Sequence, residues 1–229
     1  MIIAVIGGIG SGKSVYATKK VIESPHHCFV NFNIRTNNST RIRKDMIVET
    51  LTTGTTKTGK PIQEKAVNFD FWNKQLKTYG NFNIFLDEVH NLIHSRQAMT
   101  KWNTLASIWI SQIRKILGDK EETAIYLISQ RLKRIDIAFR DLLHHLIYCE
   151  KVPTGHFAKT NIMHKGAVTT KLLPLIMIRQ LHFIGTYCTD KYEAYKYGAK
   201  SYDFKTQFYA NPYFQYYDSY EQFGDTPYV

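Results

Sequence analysis

The sequence predicts an α/β fold: a mostly parallel sheet flanked by helices, with an antiparallel β extension after about residue 150. Three observations predict it. Short, continuously apolar runs at residues 1–6, 83–86 and 123–129 are the pattern of strands buried on both faces. Stretches with helical spacing lie between them, and such alternation means a parallel sheet with helices on its faces. From Lys151 to Thr189 there are five Lys or Arg and no Asp or Glu, with strand-like runs at 169–178 and 180–187.

The elements follow in order. Met1 to Ile6 is the first strand; after a glycine-rich turn, a helix runs from about Lys13 to Glu23, ended by Ser24-Pro25. His27 to Phe32 is a second strand. Residues 33–67 are polar and rich in Thr, Lys and Arg, with Gly54 and Gly59, and read as a long excursion holding a hairpin. Phe69 to Tyr79 forms a helix, and Asn83 to Leu86 a strand ending in Asp87-Glu88. Trp102 to Leu117 is helical, Thr123 to Ser129 a strand, Ile135 to His144 a short helix and Leu146 to Glu150 a strand. Residues 1–150 form the expected core, 151–190 a basic β extension, and 191–229 a Tyr-rich tail packing on the core or on a neighbouring subunit.

The chain of 229 residues is long enough for one such domain and a modest appendage. Its formal net charge of +11 favours a polyanionic partner, nucleic acid first. The three cysteines are far apart and lack C-x-x-C spacing, which excludes a disulfide framework and fits a reducing compartment. The longest late apolar run, Leu172 to Ile178, carries Pro174 and is far too short to span a bilayer. A cytoplasmic location follows as the expectation.

The strongest motif is Gly7-Gly8-Ile9-Gly10-Ser11-Gly12-Lys13-Ser14, a full match to G-x-x-x-x-G-K-[ST] between an apolar strand and a helix. Glycines let the backbone curl so that several N–H groups point at phosphate oxygens. The helix that follows aims its positive end at the same anion. Lys13 is placed to reach the β- and γ-phosphates and the Ser14 hydroxyl to ligate Mg2+. These residues, with Val15, are the candidate nucleotide-binding set, and ATP with Mg2+ is the expected cofactor pair.

Two further strands end in polar residues at the same sheet edge. Asn83-Ile84-Phe85-Leu86 delivers Asp87, a candidate for the magnesium shell, and Glu88, a candidate general base for an attacking water. Ala124 to Ser129 delivers Gln130, suited to hydrogen-bond the γ-phosphate or that water.

In this order the motifs resemble the additional-strand, catalytic-glutamate branch of P-loop NTPases with a RecA-like sheet. Within it they are most similar to FtsK/HerA-type DNA-packaging ATPases and to zonula occludens toxin-like phage assembly ATPases. Gly7 to Ser14, Leu86 to His90 and Ile128 to Arg131 carry the resemblance, supported by Asp136 to Arg140; it covers roughly residues 1 to 150. It implies an ATP-hydrolysing DNA translocase, a viral or mobile-element packaging motor built as a ring, often a hexamer. It also implies an arginine supplied by the neighbouring subunit, for which Arg114 is the first candidate and Arg131, Arg134 and Arg140 the others. A capsid or assembly-protein partner, and docking on an assembling virion, belong to the same expectation. The toxin-like phage proteins continue into a membrane-spanning helix that this sequence lacks, which favours the packaging role over export. A phage assembly ATPase and a P-loop phosphotransferase acting on a small molecule are the alternatives.

Arg35, Arg41, Arg43, Lys44, Lys57 and Lys60 on the excursion, with Lys159 and Lys165 later, suit loops that touch a DNA backbone without reading bases. The tail's Tyr213, Phe214, Tyr216, Tyr217 and Tyr220 lie among acidic residues and suit protein packing. His26-His27 and His144-His145 lack metal-ligand spacing and read as structural.

Overall fold

A computed structural model of the chain describes residues 1–56, 58, 60–89, 101–117, 123–164 and 167–217. Lys57, His90, Lys165 and Tyr220 lie outside these residues. The first strand, β1 (Ile2–Ile6), is wholly buried and leads through the glycine loop into α1 (Lys13–Ile22). Then come β2 (His27–Val30), β3 (Ser39–Arg41), a single turn α2 (Lys44–Ile47), and the hairpin β4 (Val48–Thr55) and β5 (Pro61–Val67). The hairpin expected in the excursion is present, as a two-stranded sheet of its own.

Helix α3 (Phe69–Tyr79) starts where the Asn68 side chain accepts the Phe71 N–H at 3.0 Å, satisfying one of the donors a first turn leaves open. Strand β6 (Phe82–Leu86), helix α4 (Lys101–Leu117) and strand β7 (Ile125–Ser129) complete the expected alternation. The large sheet has eight strands. Strand β1 pairs in parallel with β7 on one side and with β8 (His145–His164) on the other. Strands β7, β6, β2 and β3 continue in parallel outward.

Two layers of core lie on the two faces. On β1, Ile2, Ala4 and Ile6 face a cluster with Trp72 of α3 and Trp109, Ile110 and Ile113 of α4. Ile3 and Val5 face Tyr16, Ala17 and Val21 of α1. The period of two along a strand, with apolar residues at every position, is what double burial demands.

The structure shortens the second strand, which ends at Val30 and not at Phe32, and corrects the sequence reading in two further places. In place of a helix over 135–144 there is a 3-10 turn, Leu132–Arg134, and a single helical turn, α5 (Ile137–Arg140). Ile135, Phe139 and Leu143 are buried as a helix would bury them. The segment must also swing back so that the His144 N–H reaches the Ile2 carbonyl at 3.1 Å. The runs at 169–178 and 180–187 are one strand, β9 (Ala167–Ile184), and β8 extends well past Glu150. Arg179 interrupts the apolar pattern, but its guanidinium meets Glu150 on β8 at 3.0 Å, so the ladder continues through it. The register shift between Pro153 and Phe157, with Gly155 at φ 66°, absorbs the prolines of both strands.

After α6 (Cys188–Lys196), β10 (Phe204–Tyr209) adds an antiparallel edge to β9. A partly buried polar chain ties these strands. His145 Nε2 lies 2.9 Å from His182 Nδ1, and His182 Nε2 lies 2.8 Å from Thr206 Oγ1. Such a contact needs one ring as donor and the other as acceptor, so the two imidazoles cannot both be charged. Burial pushes both down to about 4, with Lys20 adding to the effect. A folded value below the unfolded one of 6.5 means the contribution is full above pH 6.5 and is lost as pH falls toward 4. The expected melting temperature therefore declines across that window, each 1 kcal/mol costing ~2–4 °C. In His182→Gln the decline is shallower; an equal slope in the variant would contradict the assignment.

Candidate functional site

The loop between β1 and α1 is a cage whose shape requires glycine. Gly10 and Gly12 have φ of 71° and 91°, the left-handed region. A side chain on Gly12 would also strike Ile178, its Cβ falling 2.3 Å from Cδ1. At Gly7 a Cβ would fall 2.3 Å from the Cys149 carbonyl on β8. Lys13 folds back over the loop and donates to the Gly8 carbonyl at 2.9 Å. It is only 7% exposed. Burial lowers its pKa, while Asp87 and Glu88 push the other way. A glycine loop at a helix start with an ammonium folded over it is the kind of backbone concavity that binds anions.

Strand β6 ends at the same edge and delivers the carboxylates. The Ser14 hydroxyl donates to Asp87 Oδ2 at 2.7 Å, and the Glu88 N–H donates to Asp87 Oδ1 at 2.8 Å. Asn31, at the end of β2, locks the turn from outside: its amide donates to the Asp87 carbonyl at 2.8 Å and accepts the Asp87 N–H at 2.7 Å. Asp87 is 6% exposed, and burial above all raises its pKa, against the Ser14 hydrogen bond. Glu88 has φ 48°, a left-handed conformation that a residue with a Cβ adopts at a cost. That turn sets its side chain into the cleft beside Lys13.

Strand β7 supplies the third group. Gln130 Nε2 lies 3.3 Å from Glu88 Oε1, and Arg134 Nη1 donates to Gln130 Oε1 at 3.1 Å. Arginine has no acceptor, so it forces the amide oxygen toward itself and the NH2 toward Glu88. Lys13, Ser14, Glu88 and Gln130 all line one cleft of about 340 Å³, within the ~300–1,000 Å³ of small-molecule pockets. The four groups named from the sequence thus meet at one place, with Asp87 buried just behind Ser14.

Arg114 does not line this cleft. It is half-buried in the last turn of α4, and the Leu117 carbonyl at that helix end accepts from Thr123 Oγ1, just before β7 begins, at 3.3 Å. It therefore sits near the starting edge of the strands, opposite their site-bearing ends. Any role at a phosphate site would be at a neighbouring copy's.

Ser14 Oγ and Asp87 are hard oxygen donors of the kind Mg2+ takes. Among the described residues no group of three or more His, Cys, Asp or Glu could hold a metal alone. The donor set fits an ion shared with phosphates and water, the usual arrangement for Mg2+.

Sequence reading did not find Asn31, Lys151, Ile176, Ile178, Ala210, Phe214 or Tyr217. Asn31 carried the same signal as Asp87, a polar residue ending a buried strand, but lay inside a strand drawn too long. Lys151, from β8, and the apolar residues, from β9 and the tail, also line the cleft. Nothing local in their sequence marks them.

The basic residues divide. Arg43 pairs with Asp45 at 3.2 Å and Lys44 lies 5.0 Å from the Trp102 ring centre, so neither presents an isolated charge. Lys60 and Lys159 are exposed. No helix among the described residues is long and apolar enough to cross a membrane.

No protein-family model matches the sequence, and no curated protein matches it. Among solved structures, the N-terminal domain of zonular occludens toxin from Neisseria meningitidis is similar at 16% identity, covering 95% of this chain and 98% of that one, with a TM-score of 0.49. The genome packaging NTPase B204 from Sulfolobus turreted icosahedral virus 2, in complex with ATP-gammaS, is similar at 12% identity over 64% of this chain and 74% of that one, with a TM-score of 0.38. The DNA-packaging ATPase B204 from Sulfolobus Turreted Icosahedral Virus follows at 14% identity, 64% and 74% coverage, and a TM-score of 0.35. Their names are those of the groups that the motif order resembles.

Proposed function

We propose that this chain is a P-loop ATPase that couples hydrolysis to the movement of DNA, most simply as a genome-packaging motor. The observation that carries the reading is the convergence of the glycine cage, the Ser14–Asp87 pair and the Glu88–Gln130 pair on one cleft. The triphosphate binds to the loop N–H groups and Lys13. Ser14 and Asp87 would hold Mg2+, which would supply neutralisation of the triphosphate's charge. Glu88 orients and polarises a water for in-line attack, and Gln130, its amide fixed by Arg134, positions the base and reports whether the γ-phosphate is present.

Residues 1–150 carry the chemistry in this reading, with later segments supporting it. The charge of +11 supports a DNA partner contacted through its backbone. Copies of the chain assemble as a ring, in which Arg114 reaches a neighbour's site. The test is ATP turnover with and without single- and double-stranded DNA, at low and moderate salt, with the mass of the nucleotide-bound assembly. Turnover rises several-fold with DNA, and DNA affinity falls steeply with salt: six to ten phosphate contacts lose about 10³–10⁵ between 50 and 200 mM. Turnover indifferent to DNA would remove the translocase. ADP formed only with a small-molecule acceptor would make the chain a phosphotransferase.

A further inference from the structure

The cleft has two unlike walls. One holds the ionic groups just described. The other is apolar: Val15 from α1, Ile176 and Ile178 from β9, and Ala210, Phe214 and Tyr217 from the tail. Building on the phosphate site proposed above, we infer that this second wall is a nucleobase site, with the purine ring of a nucleoside triphosphate lying against Phe214. The occupant follows from continuity, because wall and cage enclose the same cavity and a triphosphate on the loop carries its nucleoside with it.

Phe214 differs from its neighbours in the tail. Tyr213 donates to Glu23 of α1 at 2.6 Å and meets Phe208 edge-on at 5.6 Å; Tyr217 meets Phe32 edge-on at 6.2 Å. These rings fasten the segment. Phe214 stacks on no other ring among the described residues and is 42% exposed, yet it faces the cleft. A large apolar ring left partly in water costs the fold hydrophobic burial that a ligand could supply.

The frame around it is rigid. The Ile176 N–H donates to Asn211 Oδ1 at 2.8 Å, Asn211 Nδ2 donates to the Pro174 carbonyl at 3.1 Å, and the Ala210 N–H donates to the Ile176 carbonyl at 2.8 Å. At the far end the Arg35 N–H donates to the Tyr216 carbonyl at 3.0 Å. The 3-10 segment Asn211–Tyr216 is thus pinned to β9 on one side and to the segment after β2 on the other, with Phe214 held between. A pre-ordered ring loses little freedom on binding.

The same wall also limits what can be read. Its charged group is the Lys151 ammonium and its one side-chain hydroxyl is that of Tyr217; its aliphatic members offer neither donor nor acceptor to a base edge. Recognition is therefore chiefly through the face of the base, which every purine presents. ATP and GTP bind with similar affinity.

The experiment compares ATP, GTP and inorganic tripolyphosphate, each with Mg2+, by calorimetric titration into the full chain and into Phe214→Ala and Phe214→Tyr. Base stacking is worth about 5- to 150-fold in affinity, so wild type binds ATP tighter than tripolyphosphate by that order. Phe214→Ala removes most of that advantage and leaves tripolyphosphate affinity unchanged, whereas Phe214→Tyr restores it. Equal loss for ATP and tripolyphosphate in Phe214→Ala, or no loss for either, overturns the base site while the phosphate site stands. Wild-type chain that binds neither ligand overturns both.

Discussion

Lys13→Ala weakens ATP binding by at least ~100-fold and abolishes turnover, while the fold persists. The magnitude follows from the position of the ammonium. It is buried, lies in the loop that curls around the phosphates, and is the only cation of the glycine cage itself. Truncating one partner of a buried charge pair costs about 2–5 kcal/mol, much of it from the charge left unpaired. Within the ligand-free chain the loss is the hydrogen bond to Gly8, worth about 1.5–3 kcal/mol for a charged donor, together with the attraction of Asp87 and Glu88. Burial already disfavours the lysine's charge, which offsets part of that loss. The melting temperature of the variant without nucleotide therefore changes modestly, and the stabilisation that ATP gives wild type disappears. The measurement is a thermal melt with and without ATP.

Glu88→Gln lowers the turnover rate by about 10²–10⁴, the range general-base catalysis supplies, and leaves ATP affinity within a few-fold. Glutamine keeps the shape. Its oxygen still accepts from Gln130 Nε2, and the strained turn at residue 88 is unchanged. What it loses is the capacity to accept a proton from water. Uncleaved ATP accordingly remains bound after rapid desalting, and any assembly that forms with nucleotide is trapped in that state. A variant turning over near the wild-type rate would transfer the base to another group.

Glu88 and Gln130 were legible because the sequence writes them at strand ends. A buried parallel strand has nowhere to hide a polar side chain, so Asp87-Glu88 after β6 and Gln130 after β7 stand out against their apolar runs. Helix α3 has the ends the sequence reading gave it, and in the structure Asn68 caps one end while Gly80, at φ 71°, ends the other. Partner-dependent features were not legible. Arg179 sits within β9 opposite Glu150 of β8, 29 positions earlier in the chain, and pairs with it. Phe214 becomes part of the cleft only when β10 and the turn after it dock against β9 and α1. Neither fact exists in a local window.

The site divides in the same manner. Its ionic wall is built from strand tips of one alternating pattern, whose chemistry is tied to residue type and spacing. Its apolar wall is assembled from Ile176, Ile178 and the tail, residues that any core would contain. Asn31 falls between the two: a strand-end amide, but one that binds only the backbone of Asp87 and so shapes the carboxylate turn without touching the cleft.

The central claim is that one triphosphate is gripped by the loop around Lys13. Calorimetric titration of ATP and AMP, each with Mg2+, into wild-type and Lys13→Ala chain tests it most directly. Binding that needs the β- and γ-phosphates, tight for ATP, weak for AMP and lost with the lysine, is the result expected. AMP binding as tightly as ATP, or a lysine variant that binds ATP as the wild type does, would contradict it.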